Sequence, residues 1–414
     1  MSAQEVGSAA ARNGSRLRII EPLRDRSYFL LWSGQTVSRL GDSAYSTVLS
    51  WTAYTLTLST AATGYVLTAF SIPMLVMVLA GGIVGDRVSR RGLILTSDLL
   101  SGCAVGAVAL LAALGHLSLA LLIVLAATFG VVSAFFSPAY QALIPDVVPE
   151  ERLQQANALQ MLSGTTSQIV GPALGAVLYG WGRAAAAFGF DAVTFFVAAL
   201  ATTFLRVPPR PLPERKSIWS DVRDGWDYVR RTTWLWSSIA IATILNSLGN
   251  APFFVLLPAV IHRHHLGIGS LGLTFTMAAI VAVVSNTVLG QLSALRHRGT
   301  IIFAVWSLIG ISTMLVGLAP SFVLILVAGA LKGVTYCGDT IYLGIVQQYV
   351  PAEYRSRVFS LDMLGSFALY PVGLAVSGIV AAAIGPEPTL IAGGAVALAL
   401  SVAGMLLPAI RALD

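Results

Sequence analysis

Long apolar stretches follow one another along most of this chain. Twelve of them, each of about 20 residues or more, lie between residues 28 and 410. A bilayer has a hydrocarbon core of about 30 Å, which a helix rising about 1.5 Å per residue crosses in about 20 residues. Only 11% of the 414 residues are charged, far below the share of about 25% typical of a soluble domain. The sequence therefore predicts an all-α membrane protein with twelve transmembrane helices.

Basic residues are concentrated on one side of these stretches. The predicted spans are 28–58, 62–85, 92–114, 117–138, 155–180, 184–205, 235–261, 269–293, 300–319, 321–348, 357–383 and 389–410. With the N-terminus in the cytoplasm, nearly all of the 25 Lys and Arg residues lie in cytoplasmic segments. Arg39 and Lys332 lie within spans, and Arg183 and Arg263 lie in loops on the other side. Because basic loops stay in the cytoplasm, we expect a multi-pass protein of the cell membrane with both termini cytoplasmic.

The chain divides into four predicted segments. Residues 1–27 form a cytoplasmic segment without an apolar core of signal-peptide length. Two six-helix bundles, 28–206 and 235–414, are joined by a cytoplasmic linker at 207–234. The linker starts Pro-rich and then spaces apolar residues by three and four, which is typical of a helix lying in the membrane interface. These residues are Ile218, Trp219, Val222, Trp226 and Val229. Its role is either to space the two bundles or to sense lipid and regulate.

An internal repeat relates the two predicted bundles. The loop at 82–92 aligns with the loop at 290–299, glycine on glycine and arginine on arginine. A second pair consists of Val-Pro-Glu-Glu at 148–151 and Val-Pro-Ala-Glu at 350–353. Parallel similarity between two six-helix halves is typical of one transporter architecture.

The first of these loops resembles the signature loop of the major facilitator superfamily, G-x-x-x-D-R-x-G-R-R. The matching residues are Gly82, Asp86, Arg87, Arg90 and Arg91, while Ser89 replaces a glycine. The resemblance implies two pseudo-symmetric bundles that work by alternating access, with a conformational latch at this loop. Asp86 would then meet a helix N-terminus, where the dipole favours negative charge, and Asp98 would belong to the same network. The alternative is a charge cluster that serves topology and solvation.

Three further features resemble the drug:proton antiporter branch of that superfamily, which includes macrolide and siderophore exporters. They are the opening helix at 31–35 and 40–42, the connection at 137–146 and 155–159, and Asp98 early in the third span. This resemblance implies a proton-coupled antiporter that exports amphipathic organic compounds such as antibiotics. The alternatives are a dedicated exporter of a siderophore or lipid-like metabolite, an importer, or a non-transporting receptor or scaffold.

Gly171-Pro172-Ala173-Leu174-Gly175 in the fifth span resembles the G-P-x-x-G stretch of the superfamily's antiporters. Proline removes a backbone donor, and glycines let a neighbouring helix approach closely. We expect Gly171, Pro172 and Gly175 either to gate or seal the transporter or to provide plain close packing.

Asp42 and Arg39 lie inside the first span, where a charged side chain is costly unless it faces protein or water. Spaced by three, they share one face of a helix. Asp42 is the candidate proton carrier, because burial favours the neutral form of a carboxyl group. Arg39 would keep it charged until cargo or a conformational step separates them. The alternative is a permanent ion pair that anchors the span.

Span ten contains a second charged pair, Lys332 and Asp339, seven residues apart and on nearly the same helical face. Lys332 lies near mid-membrane, where a cavity or a carboxylate partner makes a cation tolerable. It would attract an anionic group of the cargo, pair with Asp42 across the bundles, or extend its long side chain toward the interface.

Further polar residues in the spans are candidate cargo contacts. Together with Lys332 and Asp339 they are Gln35, Tyr45, Asn246, Asn250 and Tyr336. The acidic residues Asp191 and Asp362 are interpreted as boundary charges or helix caps.

Several functional classes find no support in the sequence. Walker, G-x-S-x-G and H-E-x-x-H motifs are absent, so we expect neither an enzyme nor a cofactor. His262, His264 and His265 flank an arginine in a loop, which argues against a metal site. The basic residues are scattered over short loops, which argues against nucleic acid. The expected partners are a small-molecule substrate, a proton and the lipid bilayer, and the expected state is a monomer.

Overall fold

The computed structural model describes residues 18–85, 89–207, 218–292 and 295–413. Within these ranges the chain is almost entirely helical and contains no β-strand. In the first half, short 3-10 turns at Arg18–Arg24 and Glu150–Arg152 accompany the long helices. These helices are α1 Arg26–Thr57, α2 Thr60–Gly85, α3 Arg90–Ala113, α4 Leu119–Val147 and the element Leu153–Thr203.

The element Leu153–Thr203 is two helices rather than one. Its helical conformation is interrupted at Gly182 (φ −139°, ψ 27°) and Arg183 (φ 57°, ψ −153°). We therefore divide it into α5, residues 153–181, and α6, residues 184–203.

Helix α1 packs on both α5 and α6, parallel to the first and antiparallel to the second. The neighbouring pairs are Tyr28 with Ala156 and Ala44 with Gly175 on α5, and Gly34 with Ala198 and Gly41 with Asp191 on α6. The opposite directions of these two sets show that the chain reverses at Gly182. Residues 153–203 therefore form a helical hairpin, which supplies two crossings.

The second half repeats this pattern after a connecting helix. The elements are α7 Ile218–Arg231, α8 Thr233–Arg263, α9 Ile268–Gln291, α10 Arg298–Gly317, α11 Phe322–Tyr349, α12 Ala352–Ile384, α13 Pro386–Leu406 and α14 Pro408–Arg411. Helix α8 contains a widened π-helical stretch at Leu245–Asn250. Helix α12 is interrupted between Phe367 and Tyr370.

The long helices of the described residues thus form two groups of six. Nine segments of the described residues are long and apolar enough to cross a membrane, and one of them, Glu150–Thr203, contains the hairpin. Together with α1 and α2, these segments are consistent with twelve crossings. The prediction of an all-α membrane fold with two six-helix bundles is confirmed.

Serine side chains cap the first turns of α3 and α4. The hydroxyl oxygen of Ser89 accepts a hydrogen bond from Gly92 N (3.1 Å), and that of Ser118 accepts one from Leu121 N (3.3 Å). Such caps satisfy donors that the first turn of a helix leaves free. Ser89, the residue that departs from the superfamily's glycine, therefore serves as the N-cap of α3.

The two halves touch through α2 with α12, α5 with α9, and α1 with α8. Three threonine hydroxyls donate to carbonyl oxygens across this boundary: Thr60 to Gly378 (2.9 Å), Thr68 to Pro371 (3.0 Å) and Thr276 to Ile169 (2.8 Å). The ring of His262 on α8 lies 5.5 Å from that of Tyr54 on α1. These contacts lie toward the end of the molecule where α1 turns into α2, which we call the joined end.

Helix α7 packs on the second half. Val229 is buried in an apolar cluster with Leu235 and Val358, whereas Trp226 is 58% exposed. The ring of Tyr228 stacks on that of Tyr354 at 5.0 Å. The predicted amphipathic helix is present. One part of its apolar surface covers α12, and Trp226 lies outside that contact.

Candidate functional site

A cavity of about 580 Å³ lies between the two halves, next to the joined end. This volume is within the range of about 300–1,000 Å³ common for ligand pockets. Its walls are mostly apolar and aromatic, and both halves contribute. The lining aromatic residues are Tyr45, Phe70, Phe253, Phe254, Phe275, Tyr336, Phe367 and Tyr370. Polar side chains come mainly from α1, namely Ser43, Ser46, Thr47 and Ser50.

Lys332 is the charged residue in this lining. Its side chain extends from α11 toward α8, and only 4% of the residue is exposed. The Nζ atom lies 5.4 Å from the ring centroid of Phe253 and 5.8 Å from that of Phe254. No hydrogen-bond acceptor contacts Nζ among the described residues. The amino group of Lys332 is therefore buried, and it lies against two aromatic faces.

Asp339 interacts electrostatically with Lys332 but makes no direct contact with it. Its Oδ1 accepts a hydrogen bond from Trp306 Nε1 at 2.9 Å, so its side chain faces α10. The two residues are nearly two full turns apart on one helix, yet they contact different neighbours. The predicted pair is not formed in this structure.

The predicted cargo contacts separate into two groups. Tyr45 and Tyr336 line the central cavity. Asn246 Nδ2 instead donates to Ser366 O (2.9 Å), and Asn250 Nδ2 donates to Asn246 Oδ1 (2.7 Å). These two amides hold the widened stretch of α8 together and against α12. They lie outside the residues that line the cavity.

A second, smaller cavity of about 180 Å³ lies inside the first half. Its polar lining residues are Gln35, Ser38, Asp42, Ser46, Ser97, Asp98, Ser101 and Ser133. We call it the serine pocket. Gln35 Nε2 donates to Asp98 Oδ2 at 3.0 Å. Ser46 and Phe70 line both cavities, so the serine pocket adjoins the central one.

Asp42 faces the serine pocket without an ion-pair partner. Its Oδ1 atom is buried and has no hydrogen-bond partner among the described residues. Arg39 turns away, donating from Nη1 to Gln160 O (3.1 Å) and lying 5.1 Å above the ring of Tyr140. The Arg39 to Asp42 ion pair considered from the sequence is therefore not formed in this structure.

Asp191 lies in the interior of the first half, which the sequence analysis did not predict. It is fully buried in α6 and contacts Gly41, the residue before Asp42. Thr194 Oγ1 donates to its Oδ1 at 3.3 Å, and its Oδ2 has no partner among the described residues. The prediction of a boundary charge is wrong here, because the missing glycine side chain lets α6 bring the carboxyl group against α1. The available signal was an acidic residue within an apolar run.

Asp362 lies in α12 and is hydrogen-bonded within the second half. Its Oδ1 accepts from Tyr342 Oη at 2.9 Å and from Ser366 Oγ at 3.3 Å.

The predicted latch is described only in part. Gly82 belongs to α2, and Asp86 and Arg87 lie outside the described residues. Two arginines of the loop contact carbonyl or carboxylate oxygens of the first half. Arg90 Nη1 donates to Asp146 Oδ2 (2.7 Å), and Arg91 Nη2 donates to Thr203 O (2.6 Å). Asp98, which was expected in the same network, lines the serine pocket instead.

The Gly171, Pro172 and Gly175 motif lies between α1 and α9. A β carbon at Gly171 would collide with the side chain of Ser43, and one at Gly175 would lie 2.7 Å from Ala44 O. On the other side, the carbonyl oxygen of Pro172 faces Gly272 of α9. Pro172 also lines the central cavity. The motif therefore packs α5 against α1, contacts α9 across the boundary between the halves, and forms part of the cavity wall.

The sequence is similar to known proteins over nearly its whole length. The model described as Major Facilitator Superfamily matches residues 31–307 and 239–412. Macrolide efflux protein A of Streptococcus pyogenes is 24% identical over 401 residues, covering 94% of this chain and 97% of that protein. Multidrug efflux pump Tap of Mycolicibacterium fortuitum is 26% identical over 359 residues, covering 84% and 87% respectively.

Solved structures show the same fold. A crystal structure of nucleoside transporter NupG has a TM-score of 0.65 at 15% identity, covering 91% of this chain and 98% of that one. A bacterial homologue of the iron transporter ferroportin, in an inward-facing state, has a TM-score of 0.68 at 17% identity, covering 93% and 99%.

Proposed function

Since the chain belongs to the major facilitator superfamily, we propose that it is a proton-coupled exporter of amphipathic organic compounds. It is a transport protein and not an enzyme. The observation that carries the proposal is the aromatic cavity of about 580 Å³ between the two halves. Relatives similar over most of the chain are macrolide and multidrug efflux proteins.

The way the two halves meet supports alternating access as the transport mechanism. The threonine and histidine contacts at the joined end cover one side of the cavity, so cargo reaches it from the opposite end. That opposite end carries the arginine-rich connections, including Arg90, Arg91 and Arg152. Because basic loops stay in the cytoplasm, the cavity in this conformation accepts cargo from the cytoplasmic side. Separation of the halves at the joined end would then release the cargo outside.

Proton coupling is assigned to Asp42 in the serine pocket. Its buried, unpartnered Oδ1 supports this role, because no hydrogen bond or direct ion pair occupies the oxygen that would take up the proton. Ser46 and Phe70 separate the proton from the cargo by one layer of side chains. A proton entering the cell supplies about 2.3 kcal/mol per 100 mV of membrane potential and about 1.36 kcal/mol per pH unit.

The test is cargo accumulation in everted membrane vesicles driven by a proton gradient. Purified protein is first screened by thermal shift against macrolides, siderophores and lysolipids at two pH values, because binding to the folded state raises the melting temperature. The compounds that bind are then tested as cargo. We expect Asp42→Asn to abolish uphill accumulation while it retains downhill exchange. Glu151→Gln, the same chemical change at an exposed acidic residue, should accumulate cargo like the wild type.

Three outcomes would each contradict a part of the proposal. Undiminished uphill accumulation by Asp42→Asn would remove this residue from coupling. Movement of the binding compounds only down their own gradient, unaffected by collapsing the pH difference, would exclude proton-driven export. Cargo accumulation in right-side-out vesicles would instead indicate an importer.

A further inference from the structure

We propose that the cargo of the central cavity is a lipophilic organic anion, an aromatic carboxylate or sulfonate, whose anionic group binds Lys332. This inference rests on the proposed transport function and specifies its substrate class. Three observations carry it: the burial of the ammonium group, the placement of the nearby carboxylates, and the character of the cavity wall.

The ammonium group of Lys332 has no anion in direct contact. It is 4% exposed, and Nζ has no hydrogen-bond acceptor among the described residues. A lysine buried without a partner loses the hydration of its charge, which is costly. A long lysine side chain usually avoids this cost by reaching water, yet Lys332 stays inside, at the wall of a cavity that is large enough for a ligand.

The carboxyl groups of the neighbouring helices are directed elsewhere. Asp339, on the same helix, accepts from Trp306 and faces α10. Asp42 lines the serine pocket, on the far side of Ser46 and Phe70. The described residues that line the central cavity include neither aspartate nor glutamate. An anion in direct contact with Lys332 would therefore arrive with the ligand.

The cavity wall selects the rest of the ligand. Aromatic and aliphatic side chains dominate it, so a flat apolar body gains by leaving water. Cationic ligands commonly bind to aromatic faces, but here the rings of Phe253 and Phe254 already hold the ammonium group. A cationic ligand would meet a like charge, and a neutral one would leave Lys332 without an anion. An anionic aromatic compound satisfies both parts of the site.

The test compares three compounds with the same ring system, anthracenecarboxylate, anthracenemethanol and anthracenemethylamine. Saturable binding to purified protein is measured without any gradient and corrected with a protein-free detergent blank. We expect the carboxylate to bind at least about tenfold more tightly than the other two, a difference of about 1.4 kcal/mol. Lys332→Gln should remove this preference and keep binding of anthracenemethanol. Lys332→Arg should retain it, because the charge remains.

Arg263→Gln is the matched control, since it removes a cation that is exposed and pairs with Glu387 outside the cavity. It should bind all three compounds like the wild type. Retained binding of anthracenemethanol also shows that Lys332→Gln is folded. If that variant does not fold, the order of affinities of the wild type and of Lys332→Arg for the three compounds still tests the inference.

Equal binding of the three compounds, preference for the amine, absence of saturable carboxylate binding, or an undiminished preference in Lys332→Gln would each overturn the inference. Such a result together with intact proton-driven accumulation of another cargo would leave the proposed function standing. Selective carboxylate binding without accumulation of any compound would instead contradict the exporter proposal alone.

Discussion

Gly272→Ala is expected to open the joined end. A β carbon at Gly272 would lie 2.6 Å from the carbonyl oxygen of Pro172 and 3.1 Å from the β carbon of Ala176. Ordinary contact begins at 3.4 Å, so α9 and α5 must separate by about 0.8 Å or lose this packing. Overpacking of this kind costs about 1–3 kcal/mol. The cost applies only where the joined end is closed, so the equilibrium should shift about 5- to 150-fold toward conformations with that end open.

The control is Gly269→Ala, one turn earlier on the same helix, where an added β carbon meets nothing within 4 Å. Spin labels at Leu58 and Leu318, two exposed residues in turns of the joined end, report the distance between the halves. The two native cysteines are replaced in all samples. Electron–electron double resonance should show a larger population at long distance for Gly272→Ala, and an unchanged distribution for Gly269→Ala.

Identical distance distributions for the two alanine variants would refute the reasoning. They would mean that the missing side chain at Gly272 is not required for the close packing of α9 on α5. A shift toward shorter distances would be equally contrary, because the added methyl group can only push α9 away from Pro172.

Two further predictions concern stability. Tyr28→Phe removes the hydrogen bond to the carbonyl of Ala156 (2.8 Å) and should lower the free energy of unfolding by about 0.5–1.5 kcal/mol, seen as a lower melting temperature, whereas Tyr65→Phe, at an exposed tyrosine, should not. Arg90→Lys keeps the charge opposite Asp146 but loses the planar guanidinium that contacts it at 2.7 Å, so it should also melt earlier. An unchanged melting temperature in either variant would contradict the assigned contact.

The functional residues were partly accessible from the sequence. Charges inside apolar runs identified Asp42 and Lys332, because such residues persist only where protein or water receives them. Their expected partners, Arg39 and Asp339, share the same helical faces by spacing. In the structure, the side chain of each of those partners contacts another helix instead. Spacing along one helix does not specify which groups of the neighbouring helices lie within reach.

Hydropathy predicted a membrane protein with about twelve crossings, because each helix must be apolar over about 20 residues whatever its neighbours are. The internal repeat predicted the twofold organisation. Helix rotation and packing decided the rest. They bring Asp191 against Gly41, place Asp98 with Gln35 in the serine pocket, and leave Lys332 without an acceptor. These contacts and cavities are formed by residues that are far apart in the sequence. They exist only once the helices are assembled.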